Sequence, residues 1–252
     1  MTTQFDGLAS TYAQVRPDYP DAAMRWILES TEGSRVLDVG YGTGISSRAL
    51  LRVAASQVPP RSLHIEGVEP GADMRSVAHQ GGLPIAALHE TSAEHTGLAS
   101  HTWDLIIVAQ AFHWFDAPAA VAEFHRLLRP GGTLALVWNL RQEGTDSLTD
   151  AYNRVVSTTA QLDPLQRERR AELAQPIRDS PLFRGVRQRE FDNPQSLTGA
   201  GLLQRATSAS YFPRTEPARS AALDELRQAF AAHAANGRVA LQQTCQVTLA
   251  NA

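Results

Sequence analysis

The sequence predicts an α/β fold, a doubly wound, seven-stranded and mostly parallel sheet with helices on both faces and a helical insertion near the C-terminal half. Three observations predict it. Short β-branched runs alternate with stretches of helical spacing over roughly the first 130 residues, the order that right-handed strand–helix–strand crossovers produce. One run, Asp104-Leu105-Ile106-Ile107-Val108-Ala109, is apolar almost throughout, as in a strand buried on both faces. The first run, finally, ends at a glycine-rich turn that opens a helix.

Taken in order, Arg35 to Val39 reads as the first strand and Ile45 to Ala55 as a helix with apolar residues at helical spacing. Leu63 to Val68 is the second strand, Ala72 to Gln80 a helix, and Pro84 to Leu88 a third short strand. Asp104 to Ala109 is the fourth. Pro118 to Arg129 reads as a helix, with Pro118 in its first turn and Pro130-Gly131-Gly132 ending it. Thr133 to Trp138 is the fifth strand. From about Arg141 to Asp179 the chain is arginine-rich and helix-like, which fits an inserted cap or surface helices. Gly185 to Phe191 and Gln242 to Leu249 alternate as strands do, with Ala221 to Ala234 helical between them. In such sheets ligands bind beyond the carboxyl ends of the strands, near the switch point. That rule selects the loops after Val39, Val68, Ala109 and Trp138.

Composition narrows the function classes. The 252 residues are 43% hydrophobic and 19% charged, ordinary for a globular protein. A formal net charge of −3 gives no nucleic-acid or anionic-membrane footprint. The chain has one cysteine, Cys245, so it forms no disulfide or thiolate cluster within itself. It has no lysine, which excludes a Schiff base on the protein and a P-loop lysine. The histidines are scattered, so no metal site is expected. No signal peptide and no membrane-spanning run stands out, and a cytoplasmic location is expected.

The segment Asp38-Val39-Gly40-Tyr41-Gly42-Thr43-Gly44 lies where strand meets helix. Alternate glycines let the backbone turn tightly and let a ligand approach it. A nicotinamide dinucleotide loop needs G-x-G-x-x-G, with its pyrophosphate on the helix N-terminus. Counted from Gly40, the third glycine falls at Gly44, one position early, and Ile45 stands at the required site. An uncharged nucleoside bearing a sulfonium suits the loop better than a pyrophosphate.

This stretch resembles motif I of the class I S-adenosylmethionine-dependent methyltransferases, D-x-G-x-G-x-G, with Tyr41 where a small residue is usual. Further segments match the branch of the type 11 methyltransferase domain family that carries "QAFHWFD": Gln110 to Asp116, the turn Arg129-Pro130-Gly131-Gly132, and the lead-in from Tyr12 through Arg16-Pro17-Asp18-Tyr19-Pro20. Together they span about residues 5 to 139. The resemblance implies a Rossmann-like fold and S-adenosyl-L-methionine as cofactor.

It implies roles as well. Glu69, after the second strand, would bind the ribose hydroxyls, followed by Pro70 and Met74. Ser92, Ala93 and Glu94 would meet the adenine, and Gln110 the methionine moiety. Tyr12 and Arg16 would fold over the cofactor, with Arg16 on its carboxylate. With Asp38, Gly40, Tyr41, Gly42 and Gly44, these make the cofactor set. His113 is the candidate base, and Phe112, Trp114 and Trp138 are candidate acceptor contacts. On this reading the chain is a single domain: 1–34 covers the cofactor, 35–139 binds it, and 140–252 serves the substrate side. The expected activity is methyl transfer to a small metabolite, by a monomer or homodimer that engages neither nucleic acid nor membrane. The alternatives are a methyltransferase-like cyclase or binder, and a nicotinamide-dependent oxidoreductase.

Overall fold

The computed structural model describes residues 15–144, 146–158, 173–209 and 212–252. They fall into two compact units, one drawn from 18–139, 173–191 and 245–252, the other from 15–17, 140–144, 146–158, 192–209 and 212–244.

The first unit holds α1 (Asp21–Glu29), β1 (Arg35–Val39), α2 (Ile45–Ser56), β2 (His64–Val68), α3 (Ala72–Gln80), β3 (Ala87–His89), β4 (Trp103–Ala109) and α4 (Ala117–Leu127). It also takes most of β5 (Leu128–Arg141), of β6 (Arg184–Asp192) and of the last strand (Gln243–Asn251), with the short helix Gln175–Arg178. Seven strands form one sheet. In spatial order it runs β3, β2, β1, β4, β5, then the C-terminal strand, then β6. The pairs β1–β2, β1–β4, β2–β3 and β4–β5 are parallel, and the order reverses between β1 and β4.

Period-two alternation explains the buried strands. Val36, Ile65, Leu105, Ile107, Ala135 and Val137 point to one face, where Met24 and Ile27 of α1 and Leu50 and Val53 of α2 pack on them. The intervening Leu37, Ile106, Val108, Leu134 and Leu136 are equally buried. The central strands therefore bury apolar residues on both faces, as the run at β4 predicts, with Asp38 in β1 and Asp104 in β4 as buried exceptions.

Differences from the sequence reading are local. The third strand lies at Ala87–His89 rather than Pro84–Leu88, because Leu83 and Pro84 are still leaving the turn after α3. The helix before β5 ends at Leu127, not Arg129. The reason is that Leu128 pairs with Trp103, which draws Pro130-Gly131-Gly132 into the strand. The helix α1 was not expected.

The second unit contains α5 (Ser147–Thr158), β7 (Gln195–Leu197), α7 (Gly199–Thr207), α8 (Ala218–His233) and β8 (Val239–Leu241); the helix Gln175–Arg178 is α6 and the last strand β9. Its core gathers Tyr152, Leu202, Phe212, Leu226 and Leu241. β7 and β8 pair antiparallel as a separate small sheet. Much of the arginine-rich stretch expected to be helical lies at 159–172, outside the described residues.

Candidate active site

The site is built at the carboxyl ends of β1, β2 and β4, all within the first unit. β1 carries Asp38 into the core, and the chain then turns over β2: the N–H groups of Gly40 and Tyr41 both donate to the Val68 carbonyl, at 2.9 and 3.0 Å. Gly40, Gly42 and Gly44 all adopt positive φ, which a residue with a Cβ resists. Space adds a second demand at Gly40, where a Cβ would lie 2.4 Å from that of Ala111 in the loop after β4. Gly42 differs. A Cβ there would have only the Gly40 carbonyl oxygen within 4 Å, at 3.9 Å, so its bare backbone borders open space.

Two carboxylates flank this loop. Asp38 is fully buried and accepts hydrogen bonds on Oδ2 from Ser46 (2.6 Å) and Ser47 (2.7 Å) in the first turn of α2. Burial raises its pKa to about 6; the serine hydrogen bonds oppose that rise and the Glu69 charge adds to it. Its Oδ1 has no hydrogen-bond partner. Glu69, also buried, spreads its two oxygens over two backbone donors: Oε2 takes the Gly42 N–H at 2.9 Å and Oε1 the Gly71 N–H at 2.8 Å. Each carboxylate oxygen still has a second lone pair, so a diol could donate to both.

Tyr41 turns under the loop, buried, with its ring between Gly44 and Gly67. Its phenol is pushed above the ordinary tyrosine range by burial and then by the Asp38 charge. Thr43 is buried with its hydroxyl unpartnered, as is that of Thr91 beside Ser92.

Around these, Met74 and Ala93 are buried, while Pro70 and Ser92 are exposed. Glu94 accepts the Asp116 N–H at 3.0 Å, joining the loop after β3 to the one after β4. Gln110, at the end of β4, stands at φ 60°, a conformation that is uncommon outside glycine and concentrates at functional sites. Its N–H is held by the Val137 carbonyl at 2.9 Å and its side-chain amide donates to the Asn139 carbonyl at 3.2 Å.

The aromatics expected at the acceptor separate into two groups. Phe112 packs edge-on against Phe115, with ring centroids 6.2 Å apart, and Trp138 is 2% exposed in the core. Trp114 is 49% exposed, and His113 beside it is exposed, their ring centroids 4.8 Å apart. Arg16 lies in the second unit, half-buried, and Tyr12 falls outside the described residues.

The serine pair Ser46-Ser47 escaped the sequence reading. A signal was present: two hydroxyls in the first turn of a helix, eight and nine residues after a buried strand acid. Among the described residues no cluster of three or more His, Cys, Asp or Glu side chains could hold a metal ion.

The donor set fits a cationic nucleoside. Two nearby carboxylates, one with an unpartnered buried oxygen, favour positive charge, and a pyrophosphate here would face both. The methyltransferase domain family matches residues 37–136. The chain is 32% identical over 237 residues to an uncharacterized methyltransferase of Mycobacterium tuberculosis, covering 93% of this chain and 88% of that one. A solved structure of a candidate type II methyltransferase from Anaeromyxobacter dehalogenans shares the fold, with TM-score 0.65 at 22% identity over 94% of this chain and 97% of that one. So does phosphoethanolamine N-methyltransferase 2 of Haemonchus contortus, solved with phosphomonomethylethanolamine and S-adenosylhomocysteine, with TM-score 0.52 at 16% identity over 100% of this chain and 60% of that one.

Fold and site thus define a class I methyltransferase. The chain belongs to the methyltransferase domain family and is an enzyme whose cofactor is S-adenosylmethionine. The oxidoreductase alternative falls away with that membership.

Proposed function

We propose that this enzyme methylates a small-molecule metabolite in a biosynthetic or tailoring pathway of the cytoplasm. The observation that carries the cofactor half of the reading is Glu69, whose two oxygens are fixed by Gly42 and Gly71 with a lone pair left on each. In this reading Glu69 holds the ribose hydroxyls, the Gly42 backbone lies against the nucleoside, and Asp38 faces the cationic end. Ser92 and Ala93 line the adenine, and Gln110 lies by the methionine moiety.

When bound, the cofactor supplies an electrophilic methyl group on sulfur. The protein's task is then alignment of the acceptor, an effect worth up to about 7–11 kcal/mol in well-oriented reactions. Exposed Trp114 offers an aromatic surface to an apolar or aromatic acceptor, and His113 stands next to it for acceptors that must lose a proton.

The test is calorimetric titration with S-adenosylmethionine, S-adenosylhomocysteine and NADH, followed by a panel of small acids, phenols and amines. Micromolar binding of the first two and turnover of a panel member support the reading. Methylation of protein or nucleic acid alone would refute the small-molecule assignment, and binding without consumption of the methyl group would leave a cyclase or a binder.

A further inference from the structure

We infer that Tyr41 is a positioning residue for the cofactor, a strut that holds the glycine loop from beneath; the inference rests on the S-adenosylmethionine site described above. A Cβ added at Gly67 would lie 2.6 Å from Cδ2 of the Tyr41 ring and 2.9 Å from its Cγ. One added at Gly44 would lie 2.6 Å from the Tyr41 hydroxyl oxygen and 2.8 Å from Cε1. The ring therefore runs from Gly67, next to the carboxyl end of β2, at its base, to the N-cap of α2, at its hydroxyl. It fills the underside of the loop from end to end.

Gly67 is the telling partner. Gly44 needs glycine for its φ of 79° in any case. Gly67 has no positive φ; it sits inside a strand, paired with Asp38 on one side and Leu88 on the other. Glycine weakens a strand and there marks the close approach of something else. Here the ring of Tyr41 and the Leu88 methyl, 2.7 Å from the notional Cβ, occupy that space. The bulky residue in the loop and the missing side chain in the strand are one arrangement.

Its effect falls on the surface above. Tyr41 and Gly42 are adjacent, and the Gly42 N–H reaches Glu69 only while this turn stays at its present height. With the ring gone, three glycines gain freedom over an unfilled space, and a ligand must order them on binding.

The experiment measures the dissociation constants of S-adenosylmethionine and S-adenosylhomocysteine by calorimetry, well below each variant's melting temperature, with thermal unfolding recorded alongside. Tyr41→Phe, which keeps the ring, binds like the wild type. Tyr41→Ala weakens both ligands equally, by roughly 10-fold or more, because the ordering cost is common to them. Gly67→Ala alone weakens binding by displacing the ring, yet combined with Tyr41→Ala it restores part of the affinity by refilling the space, the Leu88 methyl swinging aside. Should Tyr41→Ala fail to fold, Tyr41→Leu carries the same comparison. Wild-type affinity in the ring-less variant, with only the melting temperature lowered, would make Tyr41 a plain core residue and overturn the inference. Equal harm from Gly67→Ala in both backgrounds would do the same. A wild-type protein that binds neither ligand would instead overturn the cofactor site itself, a result distinct from both.

Discussion

Ser47 of α2 donates its hydroxyl hydrogen to Oδ2 of Asp38 in β1 across 2.7 Å, on the oxygen that Ser46 already bonds at 2.6 Å. Two hydroxyls thus serve one oxygen of a carboxylate that is sealed from solvent, and they do not offset its burial, since the pKa stands at about 6 against an ordinary 3.8. A folded-state pKa above the unfolded one means the native state binds the proton more tightly. Stability therefore falls as pH rises from about 4 to about 6, and above that window the charged group costs about 3 kcal/mol. The expected result is that Asp38→Asn loses this slope. Urea unfolding of wild type and variant at pH 4.5 and 7 checks it: the stability difference between them must change across the interval in the variant's favour.

A cation beside Asp38 has the opposite effect on its proton. S-adenosylmethionine is positively charged near neutral pH and S-adenosylhomocysteine lacks the sulfonium charge. Near pH 6, binding of the first should release more protons than binding of the second. Calorimetry in two buffers of different ionisation enthalpy measures that number directly, and equal release would place Asp38 away from the charged end.

Glu69 leads to a different signature. Its carboxylate receives two backbone N–H groups and can accept two hydroxyls, and hydrogen bonds to charged groups are worth about 1.5–3 kcal/mol each. Glu69→Ala should weaken both ligands by roughly 100-fold or more, to the same degree, since the ribose is common to them. Unequal losses would move the residue from the ribose to the sulfur end.

The sequence made the strand–turn–helix frame around this site readable because its punctuation is strong. The spacing predicts α3 at its observed bounds, Ala72–Gln80, and β1 at Arg35–Val39, each followed by a glycine that closes it. The sequence reading assigns no element to α1, although Ala23, Met24 and Ile27 repeat at helical spacing behind Pro20. β7 and β8, three residues each, are too short to show a period. At the site, Phe112, Trp114 and Trp138 looked alike in sequence, since an aromatic at a strand end serves core and ligand equally. Only packing separates the two buried rings from the exposed Trp114.

Away from the cofactor, Glu123 of α4 ties the loop after β3 to the helix. It accepts from the Thr96 N–H (3.0 Å) and hydroxyl (2.6 Å) and pairs with Arg126 at 2.7 Å. The Arg126 hydrogen bonds foremost, with those from Thr96, hold its pKa near 2. A depressed folded-state pKa stabilises the protein above the ordinary glutamate value of 4.5, and that contribution is lost as pH falls through about 2. Glu123→Gln should cost about 2–3 kcal/mol at pH 7 and progressively less below pH 4. Denaturant unfolding across that range measures it; a constant penalty at every pH would assign the loss to packing.

His113 is the residue whose role depends on the acceptor. It stands exposed in the turn after β4, held against Trp114, while Phe112 anchors the same turn in the core. A base contributes about 10²–10⁴-fold where a proton must leave the nucleophile and nothing where none does. His113→Asn should therefore leave the dissociation constant of S-adenosylhomocysteine unchanged, because no backbone or carboxylate of the cofactor loop is touched. With a phenol or an ammonium acceptor, kcat should drop by about 10²-fold or more. With a carboxylate acceptor the same variant should turn over at the wild-type rate, since alignment alone suffices. The pair of acceptors separates chemistry from architecture: a fall in kcat with both would show that His113 shapes the acceptor's seat, and a fall with the protonated acceptor alone would identify it as the base.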